Sequence, residues 1–315
     1  MQRVLFHHQA SPGLRARLAA LAERGLEIAI VPAGDRAGLE ARLPVTEVLW
    51  HVLEPVTSAM LEAAPRLRLV QKIGVGVNTI DLEACRARGI AVCNMPGTNS
   101  RAVAELTLAL MLTVLRRIAW LDRETRAGRG WELPGDLPDR LGELGGRRVG
   151  LVGMGAVPRL LAPVLAALGA EPVYWSRREK PDAPARFLPF DELLATSDVV
   201  SLHLPLTAET AGILSGERIA RMKRGAILIN TARGGLVDEP ALLLALADGH
   251  LAGAGLDVFE REPLPADHPL LTRPEVVVTP HLAWLTPETL DRSLAVAVEN
   301  CRRLAAGEPL LNRVV

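Results

Sequence analysis

The sequence predicts an α/β protein built from two doubly wound parallel-sheet domains, and three observations carry that reading. Short apolar, β-branched runs alternate with longer Ala-, Leu- and Arg-rich stretches along the whole chain. Near-continuous apolar strands separated by helices imply parallel sheets covered on both faces. The alternation occurs twice, on either side of a Gly- and Pro-containing stretch at residues 128–146 that reads as a long irregular connection. A length of 315 residues suits two domains or one large one and excludes a peptide-sized scaffold.

The first series places strands at residues 4–6, 28–31, 48–53, 67–73 and 90–93. Helical stretches lie between them, among them 14–24 and 82–88, the latter stopped by Gly89. The second series places strands at 148–152, 173–175, 199–204, 226–229, 253–257 and 276–279. The most apolar segment, 102–115, is interrupted by Glu105 and followed by Arg116 and Arg117. It falls short of the ~20 residues a membrane span needs, so a buried helix is expected.

Composition narrows the function classes. The chain is 49% hydrophobic and 23% charged, which is globular. Its 36 basic and 36 acidic side chains leave no positive excess, which argues against nucleic-acid and anionic-membrane partners. The basic side chains are nearly all Arg, with Lys only as Lys72, Lys180 and Lys223. The start, from Met1 to His8, is too polar for a secretory signal. Cys85, Cys93 and Cys301 lack both a disulfide framework and metal-ligand spacing, so a reducing cytoplasm and no metal are expected.

The strongest local signal is Val149-Gly150-Leu151-Val152-Gly153-Met154-Gly155-Ala156-Val157-Pro158, followed by an apolar-periodic stretch at 159–168. A strand enters a Gly-x-Gly turn and leaves as a helix, the context a dinucleotide site requires. Gly153 permits the tight turn. Gly155 lets backbone approach a pyrophosphate, whose charge faces the helix start at Ala156 and Val157. Pro158 stands where a third small residue is usual.

Such a loop ordinarily meets an Asp or Glu about 20 residues on, which grips the adenosine ribose hydroxyls. The next strand ends instead in Ser176-Arg177-Arg178, and Glu179 comes three residues too late. Ser176 can donate to a 2′-phosphate without repelling it. Arg177 can pair with that phosphate, with Arg178 as a helper, so NADP(H) is expected over NAD(H), which stays possible.

Further segments give the chain a family likeness. They are Gly74-Val75-Gly76-Val77-Asn78, residues 99–105 from Asn99 to Glu105, His203-Leu204-Pro205-Leu206-Thr207 with Thr210, Asn230 to Asp238, Gly255 to Pro263, and Thr279-Pro280-His281. Together, in order and over essentially the whole chain, they resemble the D-isomer-specific 2-hydroxyacid dehydrogenases.

The resemblance implies a Rossmann cofactor domain, residues 100–284, inserted into a flavodoxin-like substrate domain made of residues 1–99 and 285–315. The active site would lie in the cleft between them, and the helix at 102–117 with the segment after it would form a homodimer interface. The implied reaction reduces a small 2-oxo acid to the D-2-hydroxy acid. Arg233 would anchor the substrate carboxylate, His281 would donate the proton, and Glu262 would orient and charge that imidazole. The other six histidines (His7, His8, His51, His203, His250 and His268) have no claim to the acid role. Val75 and Gly76 would offer backbone N–H groups to the substrate. Thr231, Ala232, Arg233 and Asp257 would lie on the nicotinamide side, with Pro205 and Thr210 lining the adenosine pocket.

Trp284, three residues after His281, would narrow the substrate pocket with an apolar wall that His51 and Leu53 complete. This favours medium or large apolar 2-oxo acids over glyoxylate. Two rivals share the likeness. One is a nucleotide-sensing binding protein resembling the C-terminal-binding corepressors, which the position of Trp284 suggests. The other is a phosphoglycerate or phosphite dehydrogenase. The complete Arg233, Glu262 and His281 set argues for turnover.

Overall fold

The computed structural model describes residues 1–315, and the chain divides into two units, Met1–Asn99 with Thr286–Val315, and Ser100–Leu285. The first unit holds five strands: β1 (Gln2–His7), β2 (Leu26–Val31), β3 (Val48–His51), β4 (Leu69–Lys72) and β5 (Ala91–Cys93). They form one sheet in the order β2-β1-β3-β4-β5, with every pairing parallel. This is the flavodoxin-like order, in which ligands bind outside the carboxyl ends of the strands where the order reverses.

Short polar residues set where the helices of this unit begin. The side chains of Ser11, Asp35, Thr57 and Asp81 each accept a hydrogen bond from a first-turn amide, those of Leu14, Gly38, Met60 and Ala84. Each such cap contributes about 1 kcal/mol by satisfying an otherwise orphaned donor. Leu5, Leu49, Val70 and Val92 of adjacent strands are fully buried in one core layer. The Pro287–Ala306 helix returns the chain to this sheet. Its buried Asn300 donates to Gln71 of β4 at 2.6 Å and exchanges two hydrogen bonds with Leu311, fastening both the helix and the tail.

The second unit holds β6 (Arg148–Val152), β7 (Glu171–Trp175), β8 (Arg186–Phe187), β9 (Val199–Leu202), β10 (Ala226–Asn230), β11 (Leu251–Leu256) and β12 (Val276–Val278). Their order is β12-β11-β10-β9-β6-β7-β8, again all parallel. The order reverses at β6, the strand that carries the Gly-x-Gly turn. Alternate residues serve opposite layers, as a two-residue period requires. Val152, Val173, Leu228 and Leu256 enter one core, while Leu151, Tyr174, Ile227 and Ile229 enter the other. This explains why these strands read as continuous apolar runs.

Some elements differ from the sequence reading. Residues 128–146 contain one helical turn, Leu137–Arg140, and a helix at Ile118–Arg126 precedes them. The two-residue strand β8 was not expected, because two residues carry no periodicity. The helix after the nucleotide turn spans Ala156–Ala167 and so begins three residues earlier than its apolar pattern suggests. Pro158 is its third residue, whose N–H has no intrahelical partner, so proline costs no hydrogen bond there. Its buried ring occupies the place of the usual small residue.

Asn300→Leu leaves the Gln71 carbonyl and both Leu311 groups without their partner. It should lower unfolding free energy by about 2–3 kcal/mol in urea titrations. A loss below about 0.5 kcal/mol would mean that the tail is held by something other than this side chain.

Candidate active site

The carboxyl edge of the second sheet gathers the titratable groups. β10 ends at Asn230, whose side chain accepts from the Ala232 amide at 3.0 Å and donates to the Arg233 carbonyl at 2.9 Å. This side chain shapes the turn that presents Arg233. Thr231 is buried behind it, its hydroxyl 2.8 Å from that of Thr107. Gly234 closes the turn against the 259–260 backbone. A Cβ there would fall 1.8 Å from the Phe259 carbonyl carbon, so no other residue fits.

Arg233 is largely withdrawn from water, and its Nη1 donates to the Ala232 carbonyl at 2.6 Å. Burial pushes its pKa down, partly offset by the nearby Glu262 carboxylate. For Glu262 burial works upward, but the hydrogen bond and charge of His281, the Phe259 amide and Arg233 outweigh it, leaving its carboxyl below the ordinary value. Oε1 accepts from the Phe259 amide at 3.0 Å and Oε2 faces His281 Nδ1 at 2.6 Å. A carboxylate only accepts, so Nδ1 carries the proton and Nε2 is the ring nitrogen left for chemistry.

His281 sits at φ 52°, a left-handed conformation that costs a non-glycine residue roughly 1–2 kcal/mol. Asp257, just after β11 and fully buried, holds it there. Its carbonyl accepts from the His281 amide at 2.8 Å. Its carboxylate accepts from Thr279 Oγ1 at 2.6 Å, Leu282 N at 3.0 Å and Ala283 N at 2.9 Å. This anchoring of the 279–283 turn has no signature in the sequence, where the family likeness places Asp257 on the nicotinamide side. Trp284 folds back over the same turn, its indole N–H donating to the His281 carbonyl at 3.2 Å.

The nucleotide turn lies on the same edge, at the end of β6. Gly153 has φ 108°, and a Cβ on it would lie 2.5 Å from the His203 carbonyl oxygen. Gly155 has open space around it, and no side chain caps the Ala156–Ala167 helix. The amides of Ala156 and Val157 are thus left at a positive helix end, which fits a dinucleotide pyrophosphate. Beyond β7, the Ser176 hydroxyl donates to the Arg178 carbonyl at 2.6 Å, while Arg177 and Arg178 are exposed. Arg177 is close enough to Glu209 to help lower that carboxyl, after the Thr207 hydroxyl and the Glu209 backbone. Thr210 braces the facing loop by donating to the Pro205 carbonyl at 2.6 Å.

In the first unit, Val75 and Gly76 follow β4. The Val75 carbonyl takes the Asn94 side chain at 2.9 Å and the Gly74 carbonyl takes the Met95 amide at 2.8 Å. His51 is fully buried at the end of β3, with Nε2 2.5 Å from the Glu54 carbonyl. Burial, helped by the charge of Lys72, pulls its pKa to about 3. Leu53 is half-buried beside it.

Residues 108–283 match the model of the D-isomer specific 2-hydroxyacid dehydrogenase NAD binding domain. The chain belongs to that family. It is 40% identical over 260 residues to a glyoxylate reductase of Korarchaeum cryptofilum, covering 81% of this chain and 78% of the relative. It is also 40% identical over 299 residues to a D-3-phosphoglycerate dehydrogenase of Mycobacterium leprae, covering 93% of this chain. The chain spans about half of that relative's length, 56%. A Thermus thermophilus protein of known crystal structure superposes with a TM-score of 0.90 at 42% identity, covering all of both chains. No helix is long and apolar enough to cross a membrane.

Two variants test the geometry. His281→Asn should lower kcat by roughly 10²–10⁴ while cofactor binding, followed by fluorescence titration, persists. Glu262→Gln removes the anion that favours the imidazolium, so the alkaline limb of the reduction profile should move to lower pH. The depressed Glu262 carboxyl also makes a stability contribution that is present above the ordinary carboxylate pKa and lost as pH falls through its lowered value. An unmoved alkaline limb in Glu262→Gln would separate the pair from proton delivery.

Proposed function

We propose that this protein reduces a 2-oxo acid to the D-2-hydroxy acid and prefers NADP(H) to NAD(H). The observation that carries this reading is an imidazole tied through Nδ1 to Glu262, on the same sheet edge as Arg233. The nicotinamide cofactor, when bound, supplies the hydride for the carbonyl carbon. Arg233 binds the substrate carboxylate through its planar fork and polarises the adjacent carbonyl. His281 Nε2 releases its proton to the carbonyl oxygen as negative charge builds there, and Glu262 orients the ring through Nδ1.

Gly153, Gly155, Ala156 and Val157 would hold the pyrophosphate, Pro205 and Thr210 the adenosine side, and Thr231, Ala232 and Asp257 the carboxamide side. The preference for NADP(H) is supported by Arg177 and Arg178 standing where a ribose-binding acid would repel the 2′-phosphate. Trp284, folded against the His281 turn, supports an apolar wall and hence medium or large apolar substrates.

A homodimer is supported by exposed apolar side chains on the second unit. Trp131 is 97% exposed and Ile118 49%, and Leu160, Val164 and Leu168 share one exposed helix stripe. Buried free thiols at Cys85, Cys93 and Cys301 agree with a reducing cytoplasm.

Initial rates with glyoxylate, hydroxypyruvate, phosphohydroxypyruvate and phenylpyruvate, each with both cofactors, test the proposal. NADPH should exceed NADH in kcat/KM by about 10-fold, the exposed arginines keeping the gap near the low end of the range for charged hydrogen bonds. Phenylpyruvate should exceed glyoxylate. No oxidation of either cofactor with any 2-oxo acid would sink the reductase reading, and equal kcat/KM for the two cofactors would sink the preference. For the assembly, sedimentation should give a dimer that Trp131→Asp weakens.

A further inference from the structure

We propose that Lys180 reads the cofactor's adenosine end, its ammonium held at the nucleotide turn to bind the ribose 2′-phosphate. This rests on the NADP(H) reading and assigns that preference chiefly to a residue outside the Ser176-Arg177-Arg178 triplet.

The backbone of Lys180 is fixed before its side chain acts. Tyr174 is the chain's single tyrosine and is buried on β7. Its hydroxyl accepts from the Lys180 amide at 2.7 Å and donates to the Lys180 carbonyl at 3.1 Å. So clamped, the lysine turns back toward the sheet, and Nζ donates to the Met154 carbonyl at 2.7 Å, inside the Gly-x-Gly turn. The ammonium therefore stands where the ribose-side loop meets the phosphate-side turn.

Lys180 adds its charge to the lowering of the Asp182 carboxyl, behind the Arg159 hydrogen bond, but donates no hydrogen bond to it. Asp182, in the same loop, is bound by Arg159, with Nη2 2.9 Å from Oδ1 and Nη1 3.1 Å from the Asp182 carbonyl. An ammonium carries three donors, and one is used at Met154. Ser176 has committed its only proton to the Arg178 carbonyl. Arg177 and Arg178 are exposed, whereas Lys180 is half-buried, so water and salt screen its charge less. The pyrophosphate has its own donors in the uncapped helix start, whereas Lys180 arrives from the loop after β7, the ribose side of the motif. Its charge therefore belongs to the 2′-phosphate.

Calorimetric titration with 5′-AMP and 2′,5′-ADP tests this without turnover, using the wild type, Lys180→Met and Lys180→Arg. The wild type should bind 2′,5′-ADP about 10-fold or more tightly than 5′-AMP. Lys180→Met should weaken 2′,5′-ADP about 10-fold and leave 5′-AMP within about twofold, and Lys180→Arg should keep most of the 2′,5′-ADP affinity. If Lys180→Met weakens both ligands equally, or neither, Lys180 only staples the turn and the assignment is overturned, while wild-type discrimination still upholds the NADP(H) reading. If the wild type binds the two ligands equally, that reading fails and this assignment fails with it.

Discussion

The buried carboxylate of Asp257 organises the chemistry of the second unit. A carboxyl group removed from water must be satisfied by hydrogen-bond partners, and here two backbone amides and one hydroxyl, all from residues 279–283, do so. Meeting that requirement bends the chain after β12 into a tight turn and holds His281 in a left-handed conformation. The imidazole then meets Glu262 through one nitrogen and leaves the other for a reacting atom. A residue that touches His281 only through its backbone thus decides where that imidazole points.

The same economy governs the neighbouring strands. At the end of β10, Asn230 closes a two-bond turn on Ala232 and Arg233. Gly234 then lets that turn press against the backbone that leads to Glu262. Arg233 and Glu262 are both drawn out of water, and each moderates the cost of burying the other's charge. At the end of β6 the arrangement is reversed. Elsewhere Ser215 and Asp238 cap helices with their side chains, but the helix that begins at Ala156 has no such cap, so its first amides remain for a ligand.

Much of this was legible in the residues. Strand–turn–helix with Gly153 and Gly155 marks a nucleotide site because glycine alone tolerates that backbone approach. The missing acid near residue 176 is equally visible as an absence. The family likeness then singles out Arg233, Glu262 and His281 from many arginines, glutamates and histidines of ordinary appearance. Less legible was the 128–146 stretch, where a single turn at Leu137–Arg140 carries too few residues for a period to emerge.

The sequence by itself determined the two parallel α/β series and the Gly-x-Gly turn, and its family likeness named Arg233, His281 and Glu262 as the candidate anchor, acid and orienting carboxylate. The first two are written in local pattern, as apolar periodicity and glycine placement. Only the tertiary structure decided that Asp257 grips the His281 turn, that Ser176 spends its proton on Arg178, and that Lys180 reaches Met154. The Asp257 and Lys180 contacts join residues 25 and 26 positions apart, a spacing that follows no helix or strand period. They arise because a parallel sheet brings the carboxyl ends of distant strands to one edge, where each buried polar group takes whichever partner folding has placed within hydrogen-bond reach.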